Sequence, residues 1–455
     1  MPSDSPDSPR GRSRHDAPAP GGLANSHRLA ALGEAIEEKA GVKHRRTKAT
    51  APRRGWRRHR GWWIAAGSVL VALVLLVGGG YLYTLWQLGH IKKINVAGEV
   101  RRVGNQPFNI LEIGSDSRAG LSGYIAAQTG ASTGQAGGQR SDVIKIMHVD
   151  PAQGTITVLS IPRDTITTLL ANQNLYGKAN RLNVNFGNGP SLLAQTITAN
   201  FGIPIAHTVV VSFLGIINAA QAIGGVYMNF PYPAKDAYSG LNVPHAGCQI
   251  VNNFQALALV RSRHYQWYQN GVWSTDVTSD YGRIYRQNEF LKAMIDKAKG
   301  LYNPFTINSF ISKLTTGIAL DSNFSSGELI GLAVKFHNLD PTNLATYTLP
   351  TAPGSYGNLG SILFVQEPAM QKMLTQIFGS QLQKPTNPPP VNSAGYAPGW
   401  TVPATSAAAS ALTVPSSGAA VRVNLAAVTS AVATTTTTIP PEGDQYFDPT
   451  PCTPK

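Results

Sequence analysis

Residues 140–165 run "RSDVIKIMHVDPAQGTITVLSIPRDT". Two apolar runs rich in Val, Ile and Leu flank "PAQG", a turn-forming tetrapeptide, which predicts two adjacent strands joined by a tight connection. Polar residues gather where these strands stop. Arg140 and Asp142 precede the first, and Arg163 and Asp164 close the second. Upstream, "FNILEIGSD" is a third buried strand, with Asp116 and Arg118 at its end. Downstream, "SLLAQTITANFG", "LGIINAAQAIGG", "NNFQALALVRSR" and "DYGRIYRQNEFLKAMIDKAKG" carry helical periodicity, and "HTVVVSF" is another strand. Helical "PFTINSFISKLTTG" and "SGELIGLAVKFHN" and the strand "ATYTLP" follow. Strands and helices mixed in this way predict an α/β fold with a central sheet.

The chain has 455 residues and a formal charge of +14. Residues 1–60 hold 14 Lys/Arg against 6 Asp/Glu, so +8 of that excess lies there. It is a property of the leading segment, which argues against a nucleic-acid-binding domain. The basic run "KHRRTKATAPRRGWRRHR" leads into "GWWIAAGSVLVALVLLVGGGYLYTLW", and Trp62 to Trp86 contains no charged residue. Its length suits a membrane of about 30 Å. Trp62, Trp63, Tyr81, Tyr83 and Trp86 stand at its ends, and the basic flank keeps the N-terminus cytoplasmic. The expected organisation is therefore a basic, mostly disordered cytoplasmic segment (1–61, with a short helix across 26–40) and a single transmembrane helix (62–86). A linker (87–105) and an extracytoplasmic domain (106–380) come next. A Pro/Ala/Thr-rich tail (381–455), too poor in apolar residues to build a core, ends the chain.

"TSDYGRIYRQNEF" (278–290) places Asp280, Arg283, Arg286 and Gln287 at a helix start. Arg283 and Gln287 share a face, and a helix N-terminus favours anions. Arg261 and Arg263 end the preceding helix. Arginine forks suit phosphate oxygens, and carboxylates among them can hold Mg²⁺ or take a proton, which is the chemistry of phosphoryl transfer. A solvated charged face is the bland alternative for this helix. No G-x-x-x-x-G-K-[ST], H-E-x-x-H or G-x-S-x-G motif occurs.

"NILEIGSDSR", the 140–165 stretch, "RLNVNFGNGP", "GLNVPHAGCQIVNNFQALALVRSRH" and "SDYGRIYRQNEFLKAM" resemble, in order, the motifs of the LytR–CpsA–Psr family across 108–299. The resemblance implies an α/β/α sandwich around a mixed sheet, with an apolar lipid-binding tunnel. It implies transfer of a glycopolymer from a polyprenyl-pyrophosphate carrier to peptidoglycan, the acceptor being the C6 hydroxyl of N-acetylmuramic acid. Asp116 and Asp142 match the family's acids for Mg²⁺ (or Mn²⁺). Arg140, Arg163, Arg261, Arg263, Arg283 and Gln287 match its pyrophosphate contacts, and Arg118, Arg181 and Arg286 stand beside them as further candidates. Asp280 matches an acid that orients arginines or assists proton transfer. The expected catalytic set is Asp116, Arg163, Arg261, Asp280 and Arg283. The family often carries Lys where this chain has Arg181, and a second Gln where it has Asn288. The expected partners are the lipid-linked glycan, peptidoglycan and membrane lipid, without nucleic acid.

Three other readings stand beside this one. They are a hydrolase of the same lipid pyrophosphate, a membrane-bound transcriptional regulator, and a non-catalytic wall-binding protein. Residues 1–60 are too short and irregular for a helix-turn-helix, and the acid–arginine cluster would be superfluous for wall binding alone. The loop 264–278 is rich in aromatic residues, which either meet a sugar or pack among themselves. Cys248 and Cys452 form a disulfide or stay as two free thiols, since an extracytoplasmic setting permits either.

The topology is open to direct test. Protease added to intact protoplasts should digest the region after Trp86 and spare an N-terminal epitope. Loss of the N-terminal epitope instead would overturn the cytoplasmic placement.

Overall fold

The computed structural model describes residues 55–129, 140–300, 304–341, 344–391 and 446–454. The helix expected across 26–40 lies outside them. By its contacts the chain separates into residues up to Leu75 and residues from Leu76 onward. Helix α1 (Gly55–Leu88) contains one stretch, Ser68–Leu88, long and apolar enough to cross a membrane.

Seven strands form the central sheet: β1 (Lys92–Ile94), β2 (Phe108–Ser115), β3 (Ser141–Asp150), β4 (Thr155–Ser160), β5 (His207–Val211), β6 (Ile318–Asp321) and β7 (Ala345–Thr348). Their spatial order is β1-β6-β5-β2-β3-β4-β7. The β2–β3 and β3–β4 pairs are antiparallel, the second as the "PAQG" turn requires, whereas β2–β5 and β4–β7 are parallel. The sheet is therefore mixed. The helices of nine or more residues after α1 are α2 (Pro190–Phe201), α3 (Phe213–Ala222), α4 (Asn253–Arg261), α5 (Asp280–Lys299), α6 (Pro304–Leu314), α7 (Ser326–Lys335) and α8 (Glu367–Phe378).

Strand period two sorts β2 between two layers. Leu111 and Ile113 join Ile144, Ile146 and Leu159 under α2 and α8. Phe108 and Ile110 point the other way, into a cluster with Val149, Leu320 and Phe324 against which Ile311 of α6 and Leu329 of α7 pack. Burial on both faces explains why these strands are nearly continuous apolar runs. The second face also holds a polar pair: Glu112 stands opposite Lys145, whose Nζ donates to Ser160 Oγ at 2.9 Å and to Asn288 Oδ1. Burial pushes the Glu112 carboxyl up, and Lys145 opposes that rise. Asn288 thus ties α5 to the sheet.

A third core joins α3, α4 and the middle of α5 to smaller strands, including Val226–Phe230 and Gln266–Gln269. The aromatic loop 264–278 proves to be a β-hairpin, Gln266–Gln269 against Val272–Thr275. Asn270 and Gly271 turn it with φ of 53° and 83°, the left-handed pair that a two-residue hairpin needs.

The boundaries at both ends differ from those expected. Residues 87–105 are no linker: β1 is an edge strand of the central sheet, and Leu88, Ile91 and Val96 are buried. Nor does the domain stop at 380. Gln383 and Asn387 donate their backbone N–H groups to Gly202 and Ala199 at the end of α2. The tail's end returns as well. Thr450–Pro451 pairs with Asn229 and Met228, Phe447 enters the third core, and Cys452 is bonded to Cys248 with Cα atoms 6.1 Å apart. Closing a loop of 204 residues stabilises by about 5 kcal/mol in the chain-entropy model.

Gly202 follows α2 with φ of 72°, and a Cβ there would lie 1.9 Å from the Gln383 carbonyl oxygen. Gly202→Ala should cost about 2–4 kcal/mol, combining left-handed strain with overpacking. Gly104→Ala, also at positive φ but in open space, should cost only the strain. Equal melting shifts for the two variants would remove the close packing of 383–387 on α2.

Candidate active site

The ends of β2, β3 and β4, the end of α4 and the first turns of α5 converge on a cavity of about 220 Å³. Asp142, Arg163, Arg261, Arg263, Arg283 and Gln287 line it. These are six of the residues singled out from sequence, drawn from four separate segments.

Each arginine is held by a neighbour that leaves part of its fork unused. Arg163 Nη1 pairs with Asp142, and its Nε lies 3.6 Å from Asp164. Asp280, the first residue of α5, reaches Arg283 Nη2 at 2.7 Å and Arg263 Nε at 3.2 Å. It therefore orients two arginines at once. Arg283 Nη2 also donates to the Asp142 carbonyl at 3.0 Å, and its side chain is 4% exposed. The Arg261 guanidinium lies over the Phe213 ring at 4.9 Å. Gln287 Nε2 donates to the Val260 carbonyl at 2.9 Å, which joins α5 to the end of α4. Among buried side-chain atoms, Arg261 Nη1, Arg283 Nε and Gln287 Oε1 make no hydrogen bond within the protein.

Burial pushes Arg261 and Arg283 below the usual arginine range. For Arg283, Asp280 and Asp142 oppose that shift, and Arg163 and Arg263 add to it by repulsion. Four guanidiniums held this close remain charged. A bound anion would relieve their repulsion and satisfy the idle donors.

Asp116 lies beside the cavity. Its Oδ1 accepts from the Arg140 N–H at 3.0 Å. Burial and the nearby Asp142 charge raise its pKa, against the help of that hydrogen bond, Arg118 and Arg140. Two carboxylates that repel one another suit a divalent cation. Among the described residues no group of three or more His, Cys, Asp and Glu converges. That donor set fits Mg²⁺, which takes one or two carboxylates and completes its shell from phosphate oxygens and water.

Arg118 and Arg140, two further candidates, stand near Asp116 and do not line the cavity. Arg181 and Arg286 do not line it either. Arg181 Nη2 donates to the Leu359 and Ser361 carbonyls at 2.6 and 2.9 Å, and its Nε is 3.4 Å from Asp164. It holds the 359–361 turn and does not line the cavity. Arg286 is 0% exposed. It spends its guanidinium on Asp276 at 3.0 Å, Asp448 at 2.6 Å and the Ser262 carbonyl at 3.1 Å. Those contacts turn it into the protein, and it does not line the cavity.

Other contributors were not apparent from sequence. Asp236 lines the cavity, and its carboxylate accepts from Ser262 Oγ at 2.7 Å and from the His264, Tyr238 and Ser239 N–H groups. It thereby fixes the segment carrying Arg261 and Arg263. The signal was "DAYSG", an Asp-initiated turn, which announces a turn but not its distant partner. Asp276 lies against the first turn of α5, where a Cβ on Gly282 would sit 1.9 Å from its Oδ2. The glycine of "SDYGRIYRQ" is explained by that approach.

The LytR_cpsA_psr family model matches residues 88–379. The chain belongs to the LytR–CpsA–Psr family. It is 28% identical over 316 residues to the probable cell wall biosynthesis protein LcpB of Corynebacterium glutamicum, covering 69% of this chain and 70% of that one. It is 27% identical over 277 residues to TagV of Bacillus subtilis, a polyisoprenyl-teichoic acid–peptidoglycan teichoic acid transferase, covering 56% and 63%. Among solved structures, the LytR-Csp2A-Psr enzyme from Actinomyces oris superposes with a TM-score of 0.51 at 22% identity, covering 66% of this chain and 99% of that one. The family's mixed-sheet α/β fold is thus the fold of this chain.

The Asp236 contacts carry a pH signature. Burial works to raise this carboxyl, but hydrogen bonds from Ser262, His264, Ser239 and Tyr238 outweigh it and hold it below the usual range. Its stabilising contribution is therefore full above the unfolded carboxylate pKa and is lost as pH falls through the lower folded value. Asp236→Asn should reduce stability at neutral pH and flatten its acid limb. An unchanged acid limb in the variant would remove this assignment.

Proposed function

We propose that this chain is a phosphotransferase that moves a glycopolymer from a polyprenyl-pyrophosphate carrier to peptidoglycan, releasing polyprenyl phosphate. The observation that carries this reading is the convergence of Arg163, Arg261, Arg263 and Arg283 on one cavity, with donors left idle inside it. The names of LcpB and TagV point to the same area of chemistry. The acceptor is the C6 hydroxyl of N-acetylmuramic acid. The catalytic domain faces the cell wall, behind a single span whose N-terminus is cytoplasmic.

The arginines bind the pyrophosphate and hold its glycan-bearing phosphorus towards the acceptor. The acceptor oxygen forms a bond to that phosphorus while the bridging P–O bond breaks. The electron pair of the broken bond stays with the lipid phosphate, and the hydroxyl proton passes to solvent. Guanidiniums fixed beforehand stabilise the charge that grows on the bridging oxygen. Asp280 contributes by orienting Arg263 and Arg283. When present, Mg²⁺ or Mn²⁺ would be held by Asp116 and Asp142 and would neutralise phosphate charge. Cleavage by water at the same site would give a hydrolase, and product analysis separates the two.

The test is incubation with a labelled polyprenyl-pyrophosphate oligosaccharide and peptidoglycan fragments. Expected products are polyprenyl phosphate and a phosphodiester-linked glycan–peptidoglycan adduct. Free phosphorylated glycan alone would favour hydrolysis, and an intact donor would defeat both readings. Arg263, 35% exposed, is the cleanest site for substitution. Arg263→Ala should slow transfer about 10- to 100-fold through loss of a charge-assisted contact, with little change in melting temperature. Arg263→Lys should recover only part of the rate. A chelator should lower the rate, and added Mg²⁺ should restore it.

A further inference from the structure

The returning end of the tail reaches the support of the cationic cavity. Phe447 stacks on Trp267, with centroids 4.1 Å apart and planes 3° from parallel. Tyr265 Oη donates to the Phe447 carbonyl at 3.3 Å. Next to it, Asp448 is fully buried and meets Arg286 Nη1 at 2.6 Å. That guanidinium lies over the Tyr265 ring at 4.5 Å and donates to the carbonyl of Ser262. Ser262 stands between Arg261 and Arg263 in the chain, and its hydroxyl is held from the other side by Asp236. Arg286 also belongs to the same two turns of α5 as Arg283 and Gln287.

We propose that Asp448 is a positioning residue for the cationic site: through Arg286 it fixes Ser262, and with it the two arginines at the end of α4, relative to those of α5. The inference rests on the reading of the cavity as a pyrophosphate site. Asp276 alone does not replace this carboxylate. Its Oδ1 is committed to the Thr278 N–H and hydroxyl, and only Oδ2 reaches Arg286. Without Asp448, the guanidinium keeps one carboxylate partner where it now has two and is free to turn from the Ser262 carbonyl. The arginines of α4 then lose their fixed separation from Arg283, and a two-phosphate ligand, which needs all of them together, is the ligand most affected. The anchors around Asp448 serve this placement: the Phe447 stack before it, and the Thr450–Pro451 pairing and the Cys248–Cys452 bond after it.

The probe is inorganic pyrophosphate, titrated calorimetrically into the full chain with its disulfide intact, beside a melting curve for each variant. Asp448→Asn should weaken pyrophosphate binding about 10- to 100-fold at a temperature where the variant remains folded. Asp448→Glu, which keeps the charge, should recover a substantial part. A structural role alone would lower the melting temperature and leave the affinity of the folded protein as it was, and that result would overturn the proposal. Should Asp448→Asn melt below the assay temperature, the triple variant Asp276→Asn/Arg286→Met/Asp448→Leu decides, since it leaves no buried Asp276 charge without its partner. Replacing a buried ion cluster as a whole by uncharged groups of similar size usually preserves folding. It should bind pyrophosphate as weakly, and wild-type affinity in it would equally sink the idea. Wild-type protein without affinity for pyrophosphate would remove the phosphotransfer reading itself and this inference with it.

Discussion

A guanidinium with no access to water organises this domain. Removing Arg286 from solvent costs several kcal/mol, and only close, well-directed partners offset that. Asp276, Asp448, the Ser262 carbonyl and the Tyr265 ring supply them from three regions of sequence. The arrangement holds one more negative charge than positive. Its surplus appears on Asp448, whose carboxyl is pushed up to about 6 by burial, against the pull of Arg286. Such a cluster tolerates little rearrangement, so the hairpin before α5, the end of α4 and the end of the chain adopt one relative placement.

The cavity above it follows the opposite logic. Its arginines repel one another and are only partly neutralised, a state that costs folding free energy. Their positions are enforced by groups that do not face the ligand: Asp236 behind Ser262, Asp280 between Arg263 and Arg283, and Asp142 against Arg163. The strand ends of the central sheet provide the floor, and Lys145 with Asn288 fastens α5 over it. Binding groups kept short of partners, within a frame whose own polar groups are satisfied, form a site prepared for a multiply charged anion.

Much of this was legible beforehand, for definable reasons. The strands and helices around the cavity are long and strongly periodic, and the residues at their ends are charged, so both fold and cluster could be read. Shorter features gave no such signal. β1 has three residues, too few to display alternation, and a segment expected as a linker turned out to be a sheet edge. Helical spacing placed Arg283 and Arg286 together but could not say which faced inward. The answer depends on Asp276 and Asp448, and Asp448 is 162 residues from its partner. Composition averaged over the tail predicts no core of its own. It is silent on whether a few of its residues complete the core of something else.

Residues 392–445 join two stretches, both seated on the same domain. The chain leaves beside α2 at Asn387 and is fixed again by Phe447, Asp448 and Cys452. Both flanking stretches are therefore tied to one body. A fluorophore or affinity handle placed after Lys455 would report from the flank of this domain, next to the strand Val226–Phe230, and not from a point remote from it.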